Sequence, residues 1–277
     1  MPLVLILGSH VAGSRVGGTI ANLAIGLSPM KIDPVHVPTT LFGRHPGWGP
    51  PGGGPVDPAL FEGMLEGIKA NGLFGLVDGV LTNYFASADQ VQIAARAIDA
   101  IKAANPKAIV FVDPVLGDAP AGLYVRQETA DALIGELIPR ADLLSPNLWE
   151  LSYLTNQQAS DPIEIAKAGM GMGRSCLISS VETQAGIGGL LVEGDKAWLA
   201  LHGKITHPPK GTGDLLASMM LAHRIDGKTA PQAMAYALAG VAYVLGRAQE
   251  WQAPELPLVA SAYEAWRVPP LALTKLL

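Results

Sequence analysis

The sequence contains very little cysteine and little charge. One of its 277 residues is cysteine, charged residues make up 16% of the chain, and the formal net charge is −5. Cys176 lies in an apolar run, which is typical of a buried strand residue and not of a nucleophile or a disulfide partner. Because there is no basic surface, we expect neither nucleic acid nor a membrane as a partner. The cysteine usage favours a reducing compartment.

Long hydrophobic runs are also absent. The apolar run at residues 3–7 ends at Gly8, far short of a membrane span, and it has neither the basic start nor the cleavage site of a signal peptide. Apolar residues still make up 49% of the sequence, which is enough for a sizeable core. No repeat or linker divides the chain. The sequence therefore predicts one cytoplasmic domain over residues 1–277.

Short apolar runs alternate with helical patterns. Runs that are apolar on both faces are typical of strands covered by helices on both sides. Helix starts are marked by Ser87, in a capping box with Gln90, and by Asp57 before Pro58. This alternation predicts an α/β fold with a mostly parallel sheet and helices on both faces. The predicted strands lie at residues 3–7, 79–81, 108–112, 142–144 and 175–178.

The pattern changes towards the end of the chain. Residues 189–201 form two apolar runs about a Glu-Gly-Asp-Lys turn, which predicts an antiparallel hairpin at the sheet edge. A later helix is predicted to begin at Thr229, with Pro231 in its first turn. The predicted helices of this region lie near residues 214–224, 229–246 and 257–266.

The segment near residues 42–56 is rich in glycine and proline. This composition excludes a helix or a central strand, so we expect a loop. A lid that closes over a substrate and a slack surface connection both fit the composition. Composition alone favours the slack connection.

Residues 210–214 form the most informative motif. Gly211 and Gly213 let backbone N–H groups approach a ligand, and the start of the following helix favours an anion. Asp214 adds a carboxylate, so the motif suits phosphate chemistry. An ordinary turn with Asp214 as the helix N-cap explains the motif equally well. Lys210 fits a phosphate clamp, although a solvated loop lysine is the commoner case.

Two other glycine patterns are incomplete. Gly8 and Gly13 have P-loop spacing, but residues 14–15 are Ser-Arg where lysine followed by serine or threonine is required. Residues 211–213 lack the third glycine of a dinucleotide-binding fingerprint. A P-loop NTPase and an NAD-dependent enzyme are therefore excluded.

Carboxylates follow two of the predicted strands. Asp113 and Asp118 flank a proline turn at the edge where open parallel sheets bind ligands, and paired carboxylates there suit Mg²⁺. A plain Asp-Pro turn also explains Asp113. Asn147 and Glu150 lie one helical turn apart, where they could orient metal-bound water. An Asn N-cap with its acidic partner explains that second pair structurally and is locally the favoured interpretation.

Seven segments match one known pattern in order along the chain: Ser9-His10-Val11 with Val16-Gly17, residues 42–45, residues 81–84, residues 113–118, Ser145-Pro146-Asn147 with Glu150, Ile178-Ser179-Ser180, and Gly211-Thr212-Gly213-Asp214. Their combination resembles the pyridoxal kinases, a branch of the ribokinase-like small-molecule kinases. The last motif alone indicates only the wider superfamily. The resemblance implies a ribokinase-like α/β fold.

The resemblance also implies roles on the substrate side. Ser9 is expected to hydrogen-bond a pyridine ring, with Val16 and Tyr84 packed near that ring. His45 is expected in the loop beside the ring. Taken alone, Tyr84 would be a core aromatic and His45 a surface histidine. The resemblance makes Asp214 part of the same site.

On the phosphate side, the resemblance implies that Asp214 is the catalytic base. The backbone of Gly211, Thr212 and Gly213 is expected to form the anion hole. For metal binding, the expected residues are Asp113, Asp118 and Glu150. The further nucleotide-binding residues are expected to be Asp113, Asp118, Ser145, Asn147, Glu150, Ser179, Ser180 and Lys210.

Four positions depart from the family pattern. Pro46 stands where relatives usually present a polar side chain to the substrate, and Gly18 replaces an asparagine. Asn83 replaces the usual glycine before Tyr84, and Lys210 places a cation immediately before the anion hole. These departures affect the expected substrate preference more than the expected chemistry.

The sequence and the resemblance together predict an ATP-dependent kinase for the 5′-hydroxymethyl group of pyridoxal, and for pyridoxine or pyridoxamine as alternatives. The resemblance implies Mg²⁺, a monovalent cation such as K⁺, and a homodimer. A kinase for hydroxymethylpyrimidine is the nearest alternative. A non-catalytic carrier of pyridoxal phosphate is an alternative of a different class.

Overall fold

The computed structural model describes residues 1–277. The strands are β1 (Leu3–Val11), β2 (Asp33–Phe42), β3 (Gly53–Pro55), β4 (Val77–Thr82), β5 (Ile109–Val112), β6 (Gly117–Asp118), β7 (Gly122–Leu123), β8 (Leu143–Leu144), β9 (Ser175–Thr183), β10 (Gly186–Glu193), β11 (Lys196–His202) and β12 (Thr274–Lys275). Ten of them form one sheet in the order β12-β11-β10-β9-β8-β5-β4-β1-β2-β3, and β6 pairs with β7 separately.

The centre of the sheet is parallel and its two sides are antiparallel. The six strands β2, β1, β4, β5, β8 and β9 run parallel to one another. On one side β3 pairs antiparallel with β2, and on the other β10, β11 and β12 continue antiparallel from β9. The parallel strands therefore present their carboxyl ends along one edge, where ligands bind in open α/β sheets.

Nine α-helices cover both faces of the sheet: α1 (Gly17–Gly26), α2 (Pro58–Ala70), α3 (Ala88–Ala104), α4 (Gln127–Ala132), α5 (Leu148–Thr155), α6 (Pro162–Gly171), α7 (Thr212–Ile225), α8 (Ala230–Glu250) and α9 (Leu258–Ala265). Alternate residues of β1 enter different cores: Leu5 belongs to the core that includes residues of α2, α3 and α6, whereas Ile6 belongs to the core that includes residues of α1, α7, α8 and α9. No helix combines the length and the hydropathy needed to cross a bilayer.

The predicted α/β architecture is confirmed. All five predicted strands form within β1, β4, β5, β8 and β9, and the three late helices form as α7, α8 and α9. The predicted hairpin is β10–β11, although the short β12 lies outside it at the edge. The periodicity did not predict α1, whose first residues are glycines, or β2, which contains prolines.

One predicted helix start differs in detail. The Ser87 hydroxyl accepts a hydrogen bond from the Gln90 backbone at 3.3 Å, so Ser87 caps α3. The Gln90 side chain does not complete a capping box. Instead it is buried, and its amide donates to the carbonyls of Thr39 and Val56 at 2.9 and 2.8 Å. The Gln90 side chain therefore serves these distant carbonyls instead of the N–H of Ser87, and this is an effect of tertiary structure.

The glycine- and proline-rich segment is attached to the sheet. Residues 53–55 form β3, paired with Thr40, Leu41 and Phe42 at the end of β2. The Arg44 side chain donates to the Pro50 carbonyl at 2.9 Å, and the Gly43 N–H donates to the Pro51 carbonyl at 3.0 Å. The expectation of a slack connection is therefore wrong, because backbone pairing with an edge strand holds the segment.

Candidate active site

The site is built where the first turns of α1 and α7 meet at the carboxyl ends of β1 and β4. Gly17 has φ +56°, and a Cβ there would overlap the Ser9 hydroxyl. Gly211 has φ +92°, and a Cβ there would overlap the Arg15 carbonyl oxygen. Both glycines are needed: Gly17 lets the start of α1 approach β1, and Gly211 lets the start of α7 approach the residues just before α1, in each case too closely for a side chain. Asn83, directly after β4, completes the contact by reaching Asp214.

The first turn of α7 presents free backbone donors. Gly211 is the N-cap residue and no side chain caps the helix. The first intrahelical bond runs from the Leu215 N–H to the Gly211 carbonyl at 2.9 Å, so the N–H groups of Thr212, Gly213 and Asp214 have no partner within the helix. Asp214 lies in the first turn and is not the N-cap. The interpretation of the motif as an Asp-capped turn is therefore wrong, and the free N–H groups at the start of α7 suit an anion.

The Asn83 amide donates a hydrogen bond of 3.1 Å to Oδ1 of the Asp214 carboxylate. Burial raises the pKa of Asp214 from 3.8 to about 6, and the nearby Gly17 N–H and the Asn83 amide oppose that shift. A carboxylate with such a pKa is mostly ionised near neutral pH and is a stronger base than a surface aspartate.

Asp113 lies beside Asp214 at the end of β5. It is 7% exposed, and burial raises its pKa well above the ordinary value, with the negative charges of Asp214 and Glu150 adding to the shift. The Ser145 hydroxyl and the Val115 N–H favour the charged form and partly offset this effect. Val115 has φ +43°, which is strained for a β-branched residue. The turn holds the strained residue in a place where its N–H faces Asp113.

Glu150 is tied to the backbone. Its carboxylate accepts hydrogen bonds from the N–H groups of Leu116 at 2.7 Å, Gly117 at 3.3 Å and Asn147 at 2.9 Å. The Asn147 side chain accepts from the Glu150 N–H, so the pair forms a complete capping box at the start of α5. Burial raises the pKa of Glu150 from 4.5 to about 7 despite these bonds. The structural interpretation of this pair is therefore confirmed, and Glu150 also fixes the turn that follows Asp113.

The three carboxylates expected to bind metal do not form one cluster. No group of three or more His, Cys, Asp or Glu side chains lies close enough to share an ion. Asp118 is exposed on β6, where it accepts a hydrogen bond from the Ala119 N–H at 2.9 Å. Asp113 is a buried carboxylate without a cationic partner, next to the open start of α7. Its hard oxygen donors fit a cation such as Mg²⁺ that is shared with phosphate oxygens.

The expected ring-binding residues lie at the same edge. Ser9 and Val16 are buried next to the Gly17 turn that contacts Asp214, and Tyr84 follows Asn83. His45 is partly buried in the segment after β2, where its backbone N–H donates to the Ser14 hydroxyl at 3.3 Å. Ser9 and Val16 thus flank the start of α1, Tyr84 follows the residue that reaches Asp214, and His45 contacts the segment just before α1.

Of the expected nucleotide-side residues, Ser145 and Asn147 follow β8, whereas Ser179 and Ser180 lie within β9. The Ser179 N–H donates to the Pro146 carbonyl at 3.0 Å, and Ser179 forms an isolated bridge with Asn147. This pairing extends the parallel sheet past Ser145. Ser180 is exposed and has φ +60°, next to a bulge in the pairing of β9 with β10. These two serines are therefore separated from Asp214 by the ends of β8 and β5.

Sequence reasoning missed a contact from the end of the chain. The Arg15 backbone N–H donates to the Glu255 carboxylate at 3.0 Å, across 240 residues of sequence. Burial lowers the pKa of His45, and the positive charge of Lys210 lowers it further while Glu255 opposes the change. Lys210 and Glu255 therefore both act on the loop that contains His45. No local signal could have identified Glu255, since its partner is a backbone group.

Gly18, one of the departures from the family pattern, is explained by a distant histidine. A Cβ at Gly18 would overlap the imidazole of His36 on β2. The His36 Nε2 lies 3.2 Å from the Gly8 carbonyl, and burial lowers the pKa of this histidine. His36 thus occupies the volume that a longer side chain at position 18 would need.

Comparison with known proteins agrees with this geometry. Residues 79–257 match the family described as phosphomethylpyrimidine kinase. The chain is 31% identical to a pyridoxal kinase of Corynebacterium diphtheriae over 240 residues, which is 84% of each chain. It is 32% identical to a pyridoxine/pyridoxal/pyridoxamine kinase of Bordetella avium over 239 residues, covering 83% of this chain and 80% of the other. The chain belongs to the pyridoxal kinase family.

Solved structures share the whole fold. A pyridoxal kinase from Entamoeba histolytica superimposes with a TM-score of 0.89 at 25% identity and covers 99% of both chains. A pyridoxal kinase from Leishmania donovani, in complex with ADP and pyridoxamine, superimposes with a TM-score of 0.91 at 24% identity over 100% of both chains. The predicted ribokinase-like fold is therefore confirmed.

Proposed function

We propose that this kinase transfers the γ-phosphoryl group of ATP to the 5′-hydroxymethyl group of pyridoxal, giving pyridoxal 5′-phosphate for vitamin B6 salvage. One observation carries the proposal: the Asp214 carboxylate and three backbone N–H groups without helical partners share the first turn of α7. A general base and an anion hole are what phosphoryl transfer to an alcohol requires. The names of the relatives supply the substrate class.

The reaction then proceeds in one displacement. The alcohol oxygen of pyridoxal forms a bond to the γ-phosphorus, the bond from that phosphorus to the β–γ bridging oxygen breaks, and ADP leaves. Asp214 accepts the alcohol proton. The unpaired N–H groups of Thr212 and Gly213, together with the N–H of the N-cap residue Gly211, stabilise negative charge on the transferred group without reorganising. Lys210, which precedes the anion hole, adds positive charge on the nucleotide side.

In this proposal, the other expected site residues bind the cations and the nucleotide. Asp113 would hold Mg²⁺, with Asp118 as the outer acid and Glu150 acting through the turn that it fixes. Mg²⁺ supplies neutralisation of phosphate charge. Ser145, Asn147, Ser179 and Ser180 lie along the nucleotide side, where a monovalent cation such as K⁺ is also expected.

The ring side consists of Ser9, Val16, Tyr84 and His45. Ser9 hydrogen-bonds the pyridine ring, and the segment near residues 42–56 closes over it as a lid. We also propose that each chain forms one domain and that the enzyme is a homodimer in the cytoplasm. A molar mass of twice 28.9 kDa in light scattering supports the dimer, whereas the single-chain mass contradicts it.

The direct test is Asp214→Asn in an ADP-release assay with pyridoxal. Loss of the base is expected to lower kcat by about two to four orders of magnitude. Nucleotide affinity, measured by calorimetry, is expected to stay near that of the wild type, because the backbone donors remain. Turnover of the variant at the wild-type rate would overturn the assignment of the base.

The family match favours one second candidate, a kinase for hydroxymethylpyrimidine. Both substrates are aromatic rings with a primary alcohol, so Asp214 can serve either. Comparing kcat/KM for pyridoxal, pyridoxine, pyridoxamine and hydroxymethylpyrimidine distinguishes the two. A protein that binds pyridoxal phosphate but releases no ADP with any of them would instead be a non-catalytic carrier.

A further inference from the structure

Asn83 spans the gap between the central sheet and α7. Its backbone N–H donates to the Leu7 carbonyl of β1 at 2.8 Å, which anchors the main chain. Its side chain is fully buried and donates from Nδ2 to the Asp214 Oδ1 at 3.1 Å, across 131 residues of sequence. A carboxylate can only accept this bond, so the orientation of the amide is determined.

The other half of the amide is unpartnered. Asn83 Oδ1 is buried and accepts no hydrogen bond. A buried polar atom without a partner is destabilising, so Asn83 is a poor choice for stability alone. The surrounding chain also has to make room, since a Cβ at Gly8 would lie 2.9 Å from the Asn83 side chain. What the side chain does gain is a single contact, with the carboxylate of the proposed base.

The groups that face Asp214 can be named from each neighbouring element. From α1 comes the Gly17 N–H, from the end of β4 the Asn83 amide, and from the end of β5 the Asp113 carboxyl. The two donors favour the charged form of Asp214, whereas burial disfavours it. Asn83 is the only side chain among the donors, so it is the one that substitution can remove.

We infer that Asn83 is a positioning residue that fixes the orientation of the Asp214 carboxylate for proton transfer from the substrate alcohol. This inference rests on the proposed function and deepens it, because it concerns how the same base is held. Asn83 does not contact the reacting atoms in this scheme. It acts by restricting Asp214 to one geometry and by stabilising its ionised form.

The test is Asn83→Ala, with Asn83→Ser as a second variant whose hydroxyl is one bond shorter and does not reach Asp214. At pH values where Asp214 is ionised, kcat is expected to fall about tenfold, because the carboxylate is no longer held in one orientation. The acid limb of the kcat profile is expected to move up by about one pH unit, since a donor to the ionised form is lost. The KM for ATP is expected to change by less than about twofold, in keeping with a role confined to the base.

A second readout does not depend on turnover. The ¹³Cγ resonance of Asp214, assigned by its disappearance in Asp214→Asn, reports the titration of that carboxyl directly. Its midpoint is expected to move up in both Asn83 variants. Asp113 is unchanged in them, so the difference from the wild type measures the contribution of Asn83.

Asn105→Ala is the matched control. Asn105 also donates from Nδ2 to one acceptor, the Val77 carbonyl at 2.8 Å, but at the opposite end of β4. This variant is expected to lower the melting temperature and leave the pH profile unchanged. If the Asn83 variants behave in the same way, with an unmoved profile and resonance, Asn83 is structural and the inference is wrong.

The assignment of Asp214 as the base and the role of Asn83 can be overturned separately. If Asp214→Asn retains wild-type turnover, the proposed base is wrong and Asn83 positions nothing. If Asp214→Asn is inactive but the Asn83 variants keep the wild-type kcat and acid limb, only the role of Asn83 is overturned.

Discussion

At the scale of single residues, two glycines permit the close packing around Asp214. Both have positive φ; a Cβ at Gly17 would overlap the Ser9 hydroxyl of β1, and a Cβ at Gly211 would overlap the Arg15 carbonyl oxygen just before α1. In this packing the Gly17 N–H favours the charged form of Asp214. The position of the base therefore depends on residues that have no side chain at all.

Gly211→Ala tests this dependence. The left-handed backbone alone costs about 1–2 kcal/mol for a residue with a Cβ, and the overlap with the Arg15 carbonyl adds to that cost. We expect the free energy of unfolding in urea to fall by at least about 2 kcal/mol. We also expect kcat to fall at least about tenfold, since the donors of the anion hole are displaced.

Gly72→Ala is the control for backbone strain. Gly72 has φ +73°, but a Cβ there would meet nothing within 4 Å. It should lose about 1–2 kcal/mol of stability and keep its activity. Equal effects of the two substitutions would show that the close approach at Gly211 is unimportant.

At the scale of elements, the glycine- and proline-rich segment shows what composition misses. Gly53 has φ +82°, and a Cβ there would overlap the Leu41 carbonyl oxygen, so β3 can pair with β2 only because residue 53 is glycine. The same composition that excludes a central strand permits this short edge strand. A segment of that composition forms a strand only if another strand end lies beside it, as the end of β2 does here. The local sequence does not show which strand end that is.

Gly53→Ala should release β3. The backbone strain of about 1–2 kcal/mol is large compared with the pairing of a three-residue strand. We expect faster hydrogen exchange at Phe42 and Gly43 and faster proteolysis between residues 43 and 57. The KM for pyridoxal should rise and the KM for ATP should not, because His45 lies in this segment.

Gly54→Ala is the control within the same strand, since a Cβ there would meet nothing within 4 Å. If Gly54→Ala and Gly53→Ala release the segment equally, the close approach to Leu41 does not hold it. If Gly53→Ala releases the segment without changing either KM, the segment is not the substrate lid.

At the scale of the whole molecule, buried titratable groups set opposing dependences of stability on pH. His223 is 2% exposed between α7, α8 and α9, and burial lowers its pKa from 6.5 to about 4, with the charge of Lys228 acting in the same direction. Its Nδ1 and the Trp266 Nε1 are both buried without a partner, although their rings lie 5.3 Å apart. Protonation of His223 would place an unpaired charge in that core.

The sign of the His223 effect follows from linkage. Between pH 6.5 and about 4 the unfolded chain binds a proton that the folded chain does not, so stability is lost as pH falls through this window. The full loss is about 3 kcal/mol below pH 4. Asp113, Glu150 and Asp214 have raised pKa values, so each contributes stability at low pH that is lost as pH rises.

The His223→Phe variant separates the contribution of His223 from that of the three carboxyl groups. When the pH is lowered from 7 to 5, its free energy of unfolding in urea should fall less than that of the wild type. His207→Asn, at an exposed position, should keep the wild-type dependence. A His223→Phe variant with the same pH dependence as the wild type would contradict the role assigned to this histidine.

The sequence by itself determined the architecture and the candidate motifs. Apolar runs report burial on both faces, and caps such as Asp57 are local interactions, so both can be predicted from neighbouring residues. The tertiary structure decided which motifs meet. Gly17, Asn83 and Asp214 come from three distant parts of the chain and meet at one site. The hydrogen bond between Arg15 and Glu255 likewise joins residues that are 240 positions apart. The folding of the whole chain, and not local propensity, brings such residues together.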